Sequence, residues 1–545
     1  AAAPRARPAL ADMSLRRAAL HALVAIGLLN LLLSFGNAWP TLWPRPEARL
    51  SLELAIVIAA LALRGRRGPL RSGVLSLAAG LIAASILLHY TNVTVPAVFG
   101  RRLDLYWDGQ HAWEVLKMGA ASPSASKLVG VGVVLALAIA ALYGLVRRCL
   151  AVLAGSLQHP RVRSSVLAAA LVVSGVGLLA GQLGPAAQRA YAPTVAGLLA
   201  EQAGLLHRAL IAADDERLLG ASPAFDADLD TLEGADVIIV FAEAYGAITL
   251  DHPAFAAALV EPRRTLREAI EGSGRQVVSA RLVSPTFGGG SWLAHAELLS
   301  GLDMRNQSDY RLLLTTRRPT LASHFAAHGY RTVGWMPGIQ RPWPEGRFYG
   351  FDRIGTADTV GYGGPMFGYW RIPDQAAMAL LQDQELGQRR ADPHRPRLVV
   401  FPTISTHAPF RPLAPYVEDW AELHAGQPYA GAEAVAARAA PVSWEQPIPA
   451  YLAAMRYQFD WLAGWLKGHA PPDAVLIVIG DHQPIGTVTG PGADWDVPVH
   501  VITRNETLLA RLVARGFVHG LVPQRPALGP MRAMTPLLIE AFGRD

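Results

Sequence analysis

The chain has 545 residues, 51% of them hydrophobic, and a formal net charge of +6. It is too long for one ordinary soluble core, and at a mean hydropathy of +0.24 too apolar for a wholly soluble protein. A single cysteine, Cys149, excludes an intrachain disulfide and thiolate metal clusters, and the second half has no contiguous basic run, so no nucleic-acid partner is expected.

The apolar excess lies almost entirely before residue 190. Five stretches, about 18–36, 49–64, 73–91, 127–146 and 164–183, approach the roughly 20 residues needed to cross a bilayer, the second being short. Arg16 and Arg17 precede the first, Arg64, Arg66, Arg67 and Arg71 follow the second, and Arg147, Arg148, Arg161 and Arg163 follow the fourth. The remaining loops carry Trp and Tyr instead, as in "NAWPTLWP" and "LDLYWDGQHAW". By the positive-inside rule the Arg-rich side is cytoplasmic, and five spans place the rest of the chain outside. The opening "AAAPRARPALADM" lacks the shape of a cleavable signal, so the first span is expected to remain as an anchor. The region 92–126 is amphipathic and reads either as a helix along the outer membrane face or as a solvated loop. The expected organisation is a transmembrane domain over 1–186, a helical linker over 187–230 and an extracytoplasmic domain over 231–545.

In that last part, strand-like runs alternate with Ala- and Leu-rich segments: "VIIVFA", "QVVSARLV", "YRTVGWM", "RLVVFPT", "AVLIVIG" and "VPVHVIT". The alternation predicts an α/β domain whose largely parallel central sheet is covered by helices. The stretch "GAEAVAARAAPVSWEQPIPA" reads as a surface loop or short helix.

Ligands of such sheets bind beyond the carboxyl ends of the strands. There the first run delivers Glu243, "RLVVFPTISTH" delivers His407, "AVLIVIGDH" delivers Asp481 and His482, and "RLVSPTFGGGSWLAHAELLSG" leads through three glycines to Ser291. A carboxylate that ends so apolar a run must be paired or bind a metal. Two carboxylates, an imidazole and a hydroxyl suit one divalent ion, Mn or Zn. That ion would activate Ser291 as a nucleophile, while Gly288, Gly289 and Gly290 with the helix start suit a phosphate. Thr286 is a rival nucleophile, and Glu297 and Asp374 read as ordinary helix-end residues. Asp251, His252, Asp496 and His500 are available for a second ion, but structural roles are favoured for all four.

These motifs resemble those of the lipoteichoic acid synthase and phosphoethanolamine transferase group of the alkaline phosphatase superfamily. "VFAEAYG" is similar to the first metal-carboxylate motif, "GGGSWLAHAE" to the nucleophile motif, "STHAPF" to the phosphate-contacting histidine motif and "GDHQP" to the closing metal pair. The resemblance implies five membrane spans and an extracytoplasmic sulfatase-like domain in the cytoplasmic (inner) membrane. Within that domain Glu243, Ser291, Asp481 and His482 would hold the metal and His407 would contact phosphate. The segment "QRPWPEGR" resembles the head-group site, implying Trp343 with Arg341 or Arg347. The implied reaction moves a head group from phosphatidylglycerol, or alternatively phosphatidylethanolamine, to a glycan or glycolipid. Serine stands where membrane-bound relatives mostly have threonine, and the Cys-x-Pro-x-Arg signature of formylglycine sulfatases is absent. A phosphodiesterase or phosphatase and a catalytically silent membrane sensor are the rival readings.

Overall fold

The computed structural model describes residues 14–39, 41–68, 71–110, 125–210, 215–341, 343–369, 372–387, 395–424, 428–442, 444 and 446–544. The chain divides into two compact units, one holding most of residues 1–206 and the other holding residues 207–545.

The first unit contains α1 (Leu15–Ser34), a short ladder of β1 (Gly36–Asn37) with β2 (Pro44–Arg45), α2 (Leu52–Arg64), α3 (Ser72–Phe99), α4 (Ala125–Ser156) and α5 (Pro160–Leu183). Along α1, Ala18, Ala22, Ala25, Leu29 and Leu33 form one stripe, buried in a cluster with Leu54, Ile58, Ile82, Ile86, Leu150 and Leu167. The opposite face leaves Leu20, Leu23, Val24 and Leu28 exposed. Helices that are apolar on both faces suit a lipid surround. Among the described residues, four helices are long and apolar enough to cross a membrane: Leu15–Ser34, Ser72–Phe99, Val129–Ser156 and Pro160–Leu183. The expected second span, α2, is not among them, because it has only 13 helical residues. At 1.5 Å per residue it rises about 20 Å, short of the roughly 30 Å hydrocarbon core.

A second difference concerns the amphipathic region. α3 continues to Phe99 rather than ending near 91, because apolarity falls after Tyr90 while the helical ladder runs on through Pro96. Helical backbone resumes over 105–110, and 111–124 lies outside the described residues. In the expected linker, α6 (Val195–Leu210) follows.

The second unit is built on eight strands: β3 (Val237–Ala242), β4 (Gln276–Val283), β5 (Arg331–Met336), β6 (Arg353–Thr356), β7 (Arg397–Pro402), β8 (Val475–Gly480), β9 (Asp496–Thr503) and β10 (Val518–His519). Their order is β10-β4-β9-β8-β3-β7-β5-β6. The pairings from β8 through β6 are parallel, and β9 is antiparallel to both β8 and β4. Thus β3, β4, β7 and β8 share one carboxyl edge.

All six residues of β3 are buried. Ile238, Val240 and Ala242 enter one core with α7 (Val260–Gly272), α9 (Asp374–Leu381) and α10 (Ile448–Gly468). Val237, Ile239 and Phe241 enter the other with α8 (Ser291–Ser300) and α11 (Met534–Phe542). A strand covered on both faces has no place for a charge until it ends, and that sets where the polar residues fall.

Candidate metal and nucleophile site

The register pairs Ala242 of β3 with Gly480 of β8, so Glu243 and Asp481 leave the sheet side by side. The Ala244 N–H donates to Asp481 Oδ1 at 2.8 Å, and the His482 N–H donates to the same oxygen at 2.7 Å. Ala244 itself has φ 53°, a costly conformation for a residue with a Cβ. It is held there by that bond and by Tyr451, whose hydroxyl donates to the Ala244 carbonyl at 2.9 Å.

Ser291 opens α8 after Gly288, Gly289 and Gly290, at φ 64°, 139° and 79°. This run of positive φ turns the chain onto the helix start, a path that side chains would strain. The Ser291 hydroxyl donates to Glu243 Oε2 at 2.8 Å and lies 3.2 Å from His482 Nε2. His482 Nε2 is 3.4 Å from Glu243 Oε1. Its Nδ1 lies 2.7 Å from the Gln483 carbonyl, the geometry of an Nδ1–H donor, which leaves Nε2 as the lone-pair nitrogen facing the carboxylates. The structure thus brings Glu243, Ser291, Asp481 and His482 together.

One ligand atom from each of Glu243, Asp481 and His482 lies within 4.8 Å of the others. Burial, and then the neighbouring Asp481 carboxylate, push Glu243 well above the usual carboxylate range. Asp481 Oδ2 is buried without a hydrogen-bond partner. Two crowded buried carboxylates, one with an orphaned oxygen, fit a divalent cation that completes their pairing.

Thr286 is committed elsewhere, its hydroxyl donating to the Gly289 carbonyl at 2.5 Å and bracing the glycine turn. The half-buried His407 places Nδ1 2.6 Å from the Ala408 carbonyl, and desolvation holds its pKa down at about 4, so its ring is neutral. The loop carrying it is fastened to the carboxylate: Glu243 N–H donates to Thr403 Oγ1 at 3.0 Å, and the Thr406 hydroxyl donates to the Glu243 carbonyl at 2.5 Å. Trp343 is half-buried against Tyr349, with ring centroids 5.7 Å apart, and Arg341 and Arg347 are exposed on the same segment after β5.

Sequence reasoning missed the bracing role of Asp374. Fully buried, it accepts from Ile404 N–H at 2.8 Å and Ser405 N–H at 2.9 Å, fixing the loop that ends in His407. Burial raises its pKa to about 6. Its only signal in sequence was a place at the start of a helical stretch. Asp251 pairs bidentately with Arg281 at 2.6 and 2.7 Å, and His500 sits between Tyr245 and Ser279 at 3.0 and 2.6 Å. His252 is exposed and Asp496 opens β9. Among the described residues these four form no second metal cluster.

Residues 237–497, within the second unit, match the family model described as Sulfatase. Among solved structures, the chain is similar to lipooligosaccharide phosphoethanolamine transferase A (EptA) of Neisseria meningitidis, at 11% identity and TM-score 0.46, over 95% of each chain. It is also similar to a protein of the alkaline phosphatase superfamily from Vibrio parahaemolyticus, at 17% identity and TM-score 0.37, over 63% of this chain and 75% of that one. A third is the lipoteichoic acid synthase LtaP of Listeria monocytogenes, at 12% identity and TM-score 0.33, over 60% of this chain and 81% of that one. No curated protein sequence matches.

Proposed function

We propose that this protein is a membrane-bound transferase that takes the phosphoglycerol head group from phosphatidylglycerol onto Ser291 and passes it to a hydroxyl of a glycan or glycolipid. The observation that carries the reading is the Ser291 hydroxyl, within hydrogen-bond reach of both Glu243 and His482 at a helix start. Glu243, Asp481, His482 and Ser291 would hold one Mn or Zn ion. When bound, that ion lowers the hydroxyl pKa and offsets charge on a phosphoryl group.

Ser291 Oγ forms a bond to phosphorus as the bond to the diacylglycerol oxygen breaks, and the proton lost by Ser291 balances the one diacylglycerol gains. The helix start at Ser291 would favour the phosphoryl oxygens, and His407 would contact the same group. In the second half an acceptor hydroxyl attacks the same phosphorus, the Ser291 ester breaks, and the acceptor's proton returns to Ser291. Trp343 with Arg341 or Arg347 is assigned to the head group. A guanidinium there suits an uncharged glycerol and repels the ammonium of ethanolamine, which favours phosphatidylglycerol as donor.

The catalytic unit belongs on the extracytoplasmic side of the bacterial cytoplasmic membrane. Only if α2 also crosses do the three Arg clusters, before α1, after α2 and between α4 and α5, lie on one face. A short turn over Gly65–Arg67 extends α2, and Arg64 and Arg66 can reach the interface from a crossing in a locally thinned bilayer.

The test gives the purified full chain, with Mn or Zn, labelled phosphatidylglycerol or phosphatidylethanolamine in vesicles. Diacylglycerol should appear with the first lipid, and mass spectrometry should find phosphoglycerol on the peptide containing Ser291, absent from Ser291→Ala. A phosphoethanolamine adduct would replace the donor. An adduct on Thr286 would overturn the nucleophile.

A further inference from the structure

Gln483 follows Asp481 and His482 at the end of β8 and is buried. Its backbone carbonyl accepts twice. His482 Nδ1 lies 2.7 Å away, and the Gly288 N–H donates to the same oxygen at 3.1 Å. The first contact decides which imidazole nitrogen keeps its lone pair. The second holds the first glycine of the turn that ends at Ser291, whose hydroxyl lies 3.2 Å from His482 Nε2. The contacts close a ring, from the Gln483 carbonyl through the glycine turn to Ser291, across to His482 and back to the same oxygen.

A carbonyl can align two other groups only if it is itself fixed, and here its own side chain fixes it. Gln483 Oε1 accepts from the Ile248 N–H at 3.2 Å, in the segment after β3. Nε2 donates to the Asp494 carbonyl at 3.0 Å, just before β9. Gly246 makes room for this amide, since a Cβ there would overlap Oε1 and lie 2.6 Å from Cδ. Gly246 is not at positive φ, so the neighbouring amide and not its own backbone demands a glycine.

Resting on the ligand set proposed above, we infer that Gln483 is a positioning residue that aligns the metal histidine and the Ser291 hydroxyl together. Without the amide's two anchors the carbonyl can turn with its peptide, and His482 Nδ1 and the Gly288 N–H lose their acceptor in one event. Separate acceptors would make those losses independent. A shared acceptor makes them one loss, and that difference can be measured on the metal alone.

The experiment titrates Co²⁺, whose visible absorption reports its ligand geometry, into the metal-free full chain. Gln483→Met keeps the side-chain bulk and removes both polar atoms, while Gly246→Ala keeps the amide and pushes it off its bonds. Each should weaken Co²⁺ binding about tenfold or more and alter the absorption band, the usual scale for a group that orients a ligand. Ser291→Ala should weaken binding in the wild type, yet add less than about twofold in the Gln483→Met background, where the hydroxyl is no longer held in place. Unchanged affinity in both single variants overturns the inference, and so do fully additive losses in the double variant. Lower melting midpoints with wild-type Co²⁺ affinity, or unfolding of both metal-free variants, make Gln483 a residue of the fold alone and likewise overturn it. Absence of Co²⁺ binding by the wild type sinks the ligand set itself, a result separable from all of these.

Discussion

The two oxygens of Asp481 are in different circumstances. Oδ1 accepts two backbone N–H groups, which fix the carboxylate, while Oδ2 is buried with no hydrogen-bond partner. A side chain immobilised through one oxygen and bare at the other is organised for a cation. Glu243→Ala, Asp481→Ala and His482→Ala should each drop bound Mn or Zn to below about a tenth of wild type by elemental analysis. On the proposed assignment of His407 to the phosphate and not to the ion, His407→Ala should keep the metal and lose turnover by about 100-fold. Full metal in Asp481→Ala would refute the ligand set. The grouping of Glu243, Ser291, Asp481 and His482 at one sheet edge was legible because each follows an apolar run or a glycine turn. Asp374, Thr403 and Thr406 were not, because their work is done through backbone groups of a loop whose path no local pattern announces.

At the level of elements, α8 is fastened at its far end as well as at Ser291. Glu297, nearly fully buried, accepts from the Met304 N–H at 2.9 Å and the Arg532 N–H at 3.1 Å, tying the helix to the turn that opens α11. Burial raises its pKa from 4.5 to about 7. Between those values the folded state holds a proton that the unfolded state has released, so stability falls as pH rises through the window. The loss approaches about 3 kcal/mol and is complete above the folded value. Glu297→Gln should flatten this decline, measured as denaturation midpoints from about pH 4.5 to 7.5. A slope as steep as wild type would remove Glu297 as its source. Six strands were readable from their apolar runs, nearly to the residue. β6 and β10, with four and two residues, were too short to carry a period. α2 shows the converse, a composition suited to a membrane with too few helical residues.

For the molecule as a whole, each unit has its own core, one over residues 18–170 and two sharing the sheet of the second unit. A fragment of residues 207–545 should therefore fold and keep its metal, yet turn over bilayer phosphatidylglycerol at least about tenfold more slowly than the full chain, having lost its membrane-held effective concentration. Equal lipid turnover by fragment and full chain would remove any role for the helices in delivering the donor. The sheet also imposes an order on biosynthesis. The hydrogen bond from Glu243 to Thr403 closes 160 residues of chain, and that from Ala244 to Asp481 closes 237. The central strand β3 is thus made long before either neighbour, at a high cost in loop closure. Until Val475–Gly480 emerges, "VIIVFA" is an apolar strand with at least one open edge, the kind of segment through which incomplete chains associate. A ribosome that stops early therefore releases a sticky chain with no ion-binding site, and such products call for a holdase or a protease.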